Sequence, residues 1–163
     1  MTTADRIEKT TILRAPIERV WSAIADSRKF GIWFGVEFDG PFVAGSTVKG
    51  RIVPTKVDPE IAKTQDGYTG MPCDFHVERI DPMRHFSFRW IPYEVEPGAA
   101  LADEATTLIT FELEAVEGGT QLRVTESGFD AVPLERRAKA FAANDQGWTA
   151  QLTLIAKYLA SEA

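Results

Sequence analysis

Cysteine occurs once in the 163 residues, at Cys73, and histidine twice, at His76 and His85. One cysteine excludes an intramolecular disulfide and a thiolate-rich metal site, and two histidines leave no His-rich site, so neither a metal nor another cofactor is expected. Positive charge is in the minority: 18 Lys and Arg stand against 24 Asp and Glu, a net charge of −6. Such a chain offers no cationic footprint for nucleic acid or for an anionic membrane surface. No stretch approaches the roughly 18 apolar residues of a membrane span. The opening MTTADRIEKT lacks the basic and then apolar pattern of a secretory signal. The expectation is a cytoplasmic protein that neither binds nucleic acid nor inserts into a membrane. Also missing are G-x-S-x-G, G-x-G-x-x-G and a phosphate-binding P-loop, which disfavours a serine nucleophile of that type and nucleotide chemistry. No internal repeat is visible.

What is present is an ordinary globular composition, 44% hydrophobic, 26% charged and 10% aromatic. At this length it predicts a single domain over residues 1–163 with a substantial core. Ile7 to Leu13 reads as a first strand. Pro16 then stops it and suits the first turn of a short amphipathic helix carrying Val20, Trp21 and Ile24 on one side. SRKFGIWFG reads as a second short helix, with Phe30, Trp33 and Phe34 at helical spacing and Gly35 as its stop. This helix pair is helix–turn–helix only in the general sense, since Arg28 and Lys29 are the second segment's only basic residues.

From Val36 the period becomes strand-like, punctuated by turns at Asp39-Gly40-Pro41, Gly45-Ser46, Asp81-Pro82 and Glu117-Gly118-Gly119. Strands are predicted over Ser46 to Val53, Asp74 to Ile80, His85 to Tyr93, Thr106 to Ala115 and Thr120 to Phe129, as an antiparallel meander. Alternation puts Phe86, Phe88 and Trp90 on one face, matched by Ile109, Phe111 and Leu113 and then by Leu122 and Val124. Thr55 to Met71 and Pro92 to Ala105 fit no strand and read as long loops of the kind that form rims or lids. Pro133 to Ala160 reads as the longest helix. Taking Phe141 as the centre, Leu134, Trp148, Leu152, Ile155 and Leu159 fall within about 40° of it at 100° per residue. The Arg136, Arg137 and Lys139 cluster mostly faces away from that stripe, as a solvated face.

The order strand, two short helices, curled sheet, long helix resembles the α+β helix-grip fold of the superfamily that holds steroidogenic-acute-regulatory-related lipid transfer (START-like, SRPBCC) domains and polyketide cyclases. More narrowly it is similar to the branch named for homologues of the activator of the heat-shock protein 90 ATPase. The residues that carry the likeness are Pro16, Val20 and Trp21, Trp33-Phe34, the Pro41 to Ser46 turn, Asp81-Pro82 with Phe86, Phe88 and Trp90, Thr125 to Phe129, and Gly147-Trp148 with Leu152. They span nearly the whole chain. Two departures stand out: Ala44-Gly45-Ser46 replaces the family's usual pair of glycines, and the Thr55 to Met71 insertion is longer than usual. The resemblance implies a curved antiparallel sheet wrapped around the C-terminal helix, with a cavity between them suited to a mostly apolar molecule.

Trp33, Phe34, Phe75, Phe88, Trp90, Phe111, Phe141 and Trp148 could supply the walls of such a cavity or simply fill the core. Polar groups on an apolar face are more informative, because each needs a partner or a task. Asp145 lies about 40° from the stripe centre and Asn144 about 60° on the other flank, so both are candidates to face the cavity. Glu126 continues the inward parity of Leu122 and Val124. A carboxylate there would have its charged form disfavoured and could act as a general base or as a hydrogen-bond donor. Asp145 could equally pair with Arg79, Arg89 or Arg123 or lie at the wet end of its helix. His76 has a parity that its neighbours Phe75 and Val77 leave open; facing inward near Glu126 it would form an acid–base pair, and otherwise it is a surface histidine. Cys73 has no helix N-terminus beside it to activate a thiolate, so it reads as an inert buried cysteine.

Three functions follow as expectations. The first is binding of a small hydrophobic or amphipathic ligand, with Asp145 and Glu126 orienting its polar end. The second is a polyketide-cyclase-like reaction in the same cavity with Glu126, Asp145 or His76 as acid or base. The third, implied by the family name, is contact with a chaperone and stimulation of its ATPase, with a stress-related role left open. The first strand could end the sheet or pair across a homodimer, so both monomer and homodimer are compatible with the sequence.

Overall fold

The structure is a computed structural model and describes residues 6–95, 101 and 104–161. Strand β1 (Arg6–Leu13) leads through Pro16 into α1 (Ile17–Ala25), which buries Val20, Trp21, Ala23 and Ile24. Asp26 ends α1 and accepts from the backbone N–H groups of Arg28 and Lys29, so one side chain separates two helices and caps the second, α2 (Ser27–Phe34). Gly35 closes α2 with φ 95°, a left-handed conformation that glycine adopts without penalty.

Strands β5 (Phe75–Asp81), β6 (His85–Trp90), β7 (Thr107–Val116) and β8 (Gly119–Ser127) form the antiparallel meander that the alternation requires. With β1 beyond β8, and the two-residue β3 (Thr47–Val48) beyond β5, the sheet runs β1-β8-β7-β6-β5-β3. Its register stacks the inward side chains: Phe88 faces Val77 and Ile109, and Phe86 faces Phe111, which faces Val124. Phe30 from α2 is wholly buried and within 6.5 Å of the rings of Phe75, Phe86, Phe88 and Phe111. Phe75 and Phe88 stack at 3.7 Å.

Several expectations are corrected. The single strand predicted over Ser46 to Val53 is split at Lys49. β3 pairs with β5, whereas β4 (Gly50–Ile52) pairs with β2 (Val36–Phe38) in a separate two-stranded sheet. Gly50 permits the crossing, because a side chain there would sit 2.6 Å from the Cys73 carbonyl oxygen. Thr55 to Met71 is not all loop: it holds α3 (Pro59–Gln65) and a following 3-10 turn, Asp66–Tyr68. Asp58 caps α3 through Oδ1 and Pro59 occupies its first turn, a start signal that was present in the sequence. Of the predicted loop Pro92 to Ala105, residues 96–100, 102 and 103 lie outside the described residues.

The long helix α4 (Leu134–Ser161) packs on β1, α1 and α2. Its apolar stripe is not buried end to end. Leu134 is 76% exposed, while Trp148, Ile155 and Leu159 are buried and Leu152 is half-buried. Leu154 and Tyr158, about 140° and 100° from Phe141 on the helical wheel, are buried too. The C-terminal half of α4 is therefore covered over a broad arc that extends to one flank of the stripe, and the first turn is largely exposed.

Gly31 marks the closest approach of α2 to β2, since a methyl group there would overlap the Val36 carbonyl oxygen. Gly31→Ala is expected to lower stability by about 1–3 kcal/mol in urea unfolding, although alanine is the better helix former by about 1 kcal/mol. A variant as stable as the parent would show that the helix can withdraw from the strand at little cost.

Candidate functional site

The inner row of β8 runs Leu122, Val124, Glu126, and the structure places Glu126 opposite Ile109 on β7 and Ile7 on β1. Its side chain is 0% exposed. Four neutral donors converge on it. Oε2 accepts from Thr107 Oγ1 at 2.6 Å, Trp90 Nε1 at 3.0 Å and Asn144 Nδ2 at 3.0 Å, and Oε1 accepts from Trp148 Nε1 at 2.8 Å. Burial pushes the Glu126 carboxyl above its ordinary value, against the four hydrogen bonds that favour the charge. Glu126 thus binds β6, β7 and α4 to β8 through one residue.

Beside this clasp lies an inner chamber of about 210 Å³. Phe34, Trp90 and Trp148 wall it, with ring centroids 5.7–6.0 Å apart. The α4 wall is formed by Asn144, Gly147, Trp148 and Gln151, and the insertion contributes Gln65 and Tyr68. A second, outer cleft of about 580 Å³ shares Ile52, Tyr68, Cys73, Trp90 and Asn144 with the chamber, so the two adjoin. The outer cleft is rimmed by Tyr93 and Glu94 and by Arg136 and Lys139 of α4. Arg136 also stacks on Tyr93, 4.6 Å from its ring centre, and is 3.7 Å from Glu104. These two cations therefore border the cleft as well as solvent, unlike the plain solvated face expected of them.

Of the residues singled out from sequence, Phe34, Trp90, Asn144 and Trp148 line this space. Trp33, Phe75, Phe88 and Phe111 lie in the buried core. Trp33 there donates its indole N–H to the Ala23 carbonyl at 2.9 Å, and Phe141 packs on Phe129 at 5.0 Å. Two placements are corrected. Asp145 faces away from the cavity, with a side chain 47% exposed and paired to Lys9 at 3.1 Å, not to Arg79, Arg89 or Arg123. His76 lies on the outer face, 46% exposed, with Nδ1 2.8 Å from Thr47 Oγ1 and Nε2 3.7 Å from Glu78. It makes no pair with Glu126. The helical wheel treated both flanks of the α4 stripe alike, but β1 occupies the Asp145 flank and the chamber the Asn144 flank.

Sequence reasoning missed Gln151 and Gln65, and took Gly147 only as part of the family likeness. The two glutamines share an acceptor: Gln151 Nε2 donates to the Phe34 carbonyl at 3.1 Å and Gln65 Nε2 to the same oxygen at 3.2 Å. That carbonyl lies in the last turn of α2, where intrahelical partners run out. Cys73, on the cavity wall, has its thiol pushed up to about 12 by burial, with the Asp74 carboxylate adding to the effect, so it is not a nucleophile near neutral pH. Among the described residues no cluster of His, Cys, Asp and Glu is arranged to hold a metal ion, and no helix is long and apolar enough to cross a membrane.

Residues 14–160 match the family described as Activator of Hsp90 ATPase homolog 1-like protein. The chain belongs to that family. Its fold is the helix-grip arrangement, and solved structures at low identity share it. A protein from Arthrobacter aurescens superposes with a TM-score of 0.74 at 18% identity, covering 97% of this chain and 87% of that one. The Aha1 dimer from Colwellia psychrerythraea gives 0.62 at 22% identity, over 91% and 90%. DynU16, a protein in the dynemicin biosynthetic locus, gives 0.67 at 22% identity; 97% of this chain is covered, but the chain spans only 48% of DynU16. No curated protein matches the sequence.

In this family member the Glu126 clasp generates a stability prediction. Glu126→Gln turns one acceptor oxygen into an NH2 group, so in either amide orientation a buried indole N–H loses its partner, at a cost of about 1–3 kcal/mol. The raised pKa gives that cost a pH dependence. Between the ordinary carboxylate value and the raised one, the folded protein holds a proton that the unfolded chain has released. Glu126's contribution is therefore full at acid pH and declines as pH rises through the folded pKa. Urea titrations of the parent and the variant should show a penalty that narrows from acid to neutral pH; a penalty that widens would contradict the burial-dominated carboxyl.

Proposed function

We propose that the protein binds a small hydrophobic or amphipathic molecule in the space between α4 and the sheet. The observation that carries this reading is Gly147. It lies inside α4, where glycine costs about 1 kcal/mol relative to alanine. Its conformation does not call for glycine, and a methyl group added to it would meet nothing within 4 Å. Packing within the protein thus gives no reason for the missing side chain, yet Gly147 lines the inner chamber. A ligand lying against the helix backbone supplies the reason. Volume supports the same reading: the chamber falls below the roughly 300 Å³ at which ligand sites begin, while the outer cleft lies within their range. One end of a ligand would enter the chamber and the rest would lie in the cleft.

The acid–base reading has less support. Glu126 is saturated by four donors behind the wall, and neither Asp145 nor His76 lines the chamber or the cleft. Native mass spectrometry of the purified protein is the direct test, with an added mass of a few hundred daltons expected beyond 18.1 kDa. Gly147→Ala should stabilise the ligand-free protein by about 0.5–1 kcal/mol, and Gly147→Leu should fill the chamber and lose the added mass. A parent protein that carries no added mass, and that no apolar probe stabilises against heat, would sink the reading.

A further inference from the structure

The chamber has aromatic rings that are packed together and one that is not. Phe34, Trp90 and Trp148 come from α2, β6 and α4 and meet one another at 5.7–6.0 Å between ring centres. Tyr68, the last residue of the 3-10 turn in the insertion, lines the same chamber and the outer cleft as well. It is 41% exposed. Among the described residues its ring pairs with no other aromatic ring, and its hydroxyl makes no hydrogen bond.

The backbone that carries this ring is pinned. Met71 N–H donates to the Tyr68 carbonyl at 3.0 Å, Gly70 N–H to the Ile52 carbonyl at 2.8 Å and Thr69 N–H to the Asp66 carbonyl at 3.2 Å. On the other side Gln65 is used at both ends of its amide: Oε1 accepts from the Thr55 N–H at 2.7 Å, and Nε2 donates to the Phe34 carbonyl at 3.2 Å. The insertion thus brings an aromatic ring to the chamber on a fixed backbone and gives that ring nothing to stack on. Because Tyr68 lines the same space as Phe34, Trp90 and Trp148 without pairing with them, the chamber is what separates it from them. Contact between rings adds to the area they bury, and Tyr68 forgoes it within the protein. A flat ring entering the chamber would supply it on both sides. No charged side chain lines the chamber, so a charge carried in by that ring would be unpaired.

Resting on the ligand-binding reading above, we propose that the end of the ligand held in the chamber is a flat, uncharged aromatic ring, taken between Tyr68 and the wall of Phe34, Trp90 and Trp148. Tyr68 is then the residue that selects flat rings over puckered ones.

The test uses 2-naphthol and its saturated counterpart, decahydro-2-naphthol, titrated near neutral pH by calorimetry into the parent protein, Tyr68→Phe and Tyr68→Ala. The saturated probe carries the same hydroxyl and at least as much apolar surface, so burial alone gives 2-naphthol no advantage. The parent should nevertheless bind 2-naphthol about 10-fold more tightly. Tyr68→Phe should keep that preference, because the ring and not the hydroxyl makes the contact, whereas Tyr68→Ala should lose it. Since Tyr68 is exposed and makes no hydrogen bond, the urea midpoint of Tyr68→Ala should match the parent's, which separates the loss from unfolding. Binding of the saturated probe as tightly as 2-naphthol by the parent would overturn the flat-ring assignment, and an undiminished preference in Tyr68→Ala would overturn the role of Tyr68; both leave the cavity reading in place. Binding of neither probe by the parent, with Gly147→Leu behaving identically, would remove the cavity reading and this inference together.

Discussion

Glu126 is the group on which the rest of the arrangement depends. A carboxylate removed from water is costly, and here no cation offsets it; two indoles, a hydroxyl and an amide do so instead. Each of these donors comes from an element that the chain must bring together for other reasons. Trp90 closes β6, Thr107 opens β7, and Asn144 and Trp148 lie one turn apart on α4. Hydrophobic burial is non-directional and would let α4 slide along the concave sheet. Four hydrogen bonds of 2.6–3.0 Å to one side chain give it a defined position and rotation.

Fixing α4 at its midpoint divides the interior. Toward the C-terminal end, α1, α2 and β1 cover the helix, and Leu154, Ile155, Tyr158 and Leu159 complete a dense core. Toward the N-terminal end Leu134 is solvated, and Phe141 packs on the Phe129 ring. The chamber lies at the boundary of these regimes, where rigid rings meet a helix that presents glycine. Three of the four side chains that satisfy Glu126 also form chamber walls, so the shape of the cavity is set by a polar network rather than by loose packing. A cavity held in this way keeps its form when empty, which lowers the ordering cost of filling it.

The fold was largely legible from residues whose periodicity is local. The alternation of Phe86, Phe88 and Trp90, and the parity that turned Glu126 inward, needed only the two-residue repeat of a strand. Gly35 and Pro16 punctuated the helices as their chemistry requires. The site was legible only in part, because a helical wheel gives the angle of a side chain and not the neighbour it meets. Asn144 and Asp145 were equivalent candidates until β1 and its Lys9 took one flank. Aromatic residues posed the same difficulty: nothing local distinguishes Phe88, stacked in the core, from Trp90, which has one face on the chamber. Gln151 was silent for a different reason, since its acceptor, the Phe34 carbonyl at the end of α2, is 117 residues away in the chain. The Asp58-Pro59 helix start was readable in the sequence, but it was submerged in the polar composition of its segment.

The segment that starts α3 holds a second buried carboxylate, Asp58. Asp58 spends one oxygen on the α3 N-terminus and the other on Lys157 of α4 at 2.6 Å, and these partners, Lys157 first, hold its carboxyl below its ordinary value. Its contribution is present above the unfolded pKa and lost as pH falls through the depressed one, opposite in sign to that of Glu126. The two carboxylates therefore anchor α4 in complementary ways. One grips the middle of the helix against the sheet through four hydrogen bonds that favour its charge, while burial opposes that charge. The other ties the helix's last turns to α3, and through Gln65 to the chamber wall, and does so only when charged. Acid therefore weakens the Asp58 tie while it favours the folded-state proton of Glu126, so the two anchors of α4 respond to pH with opposite sign.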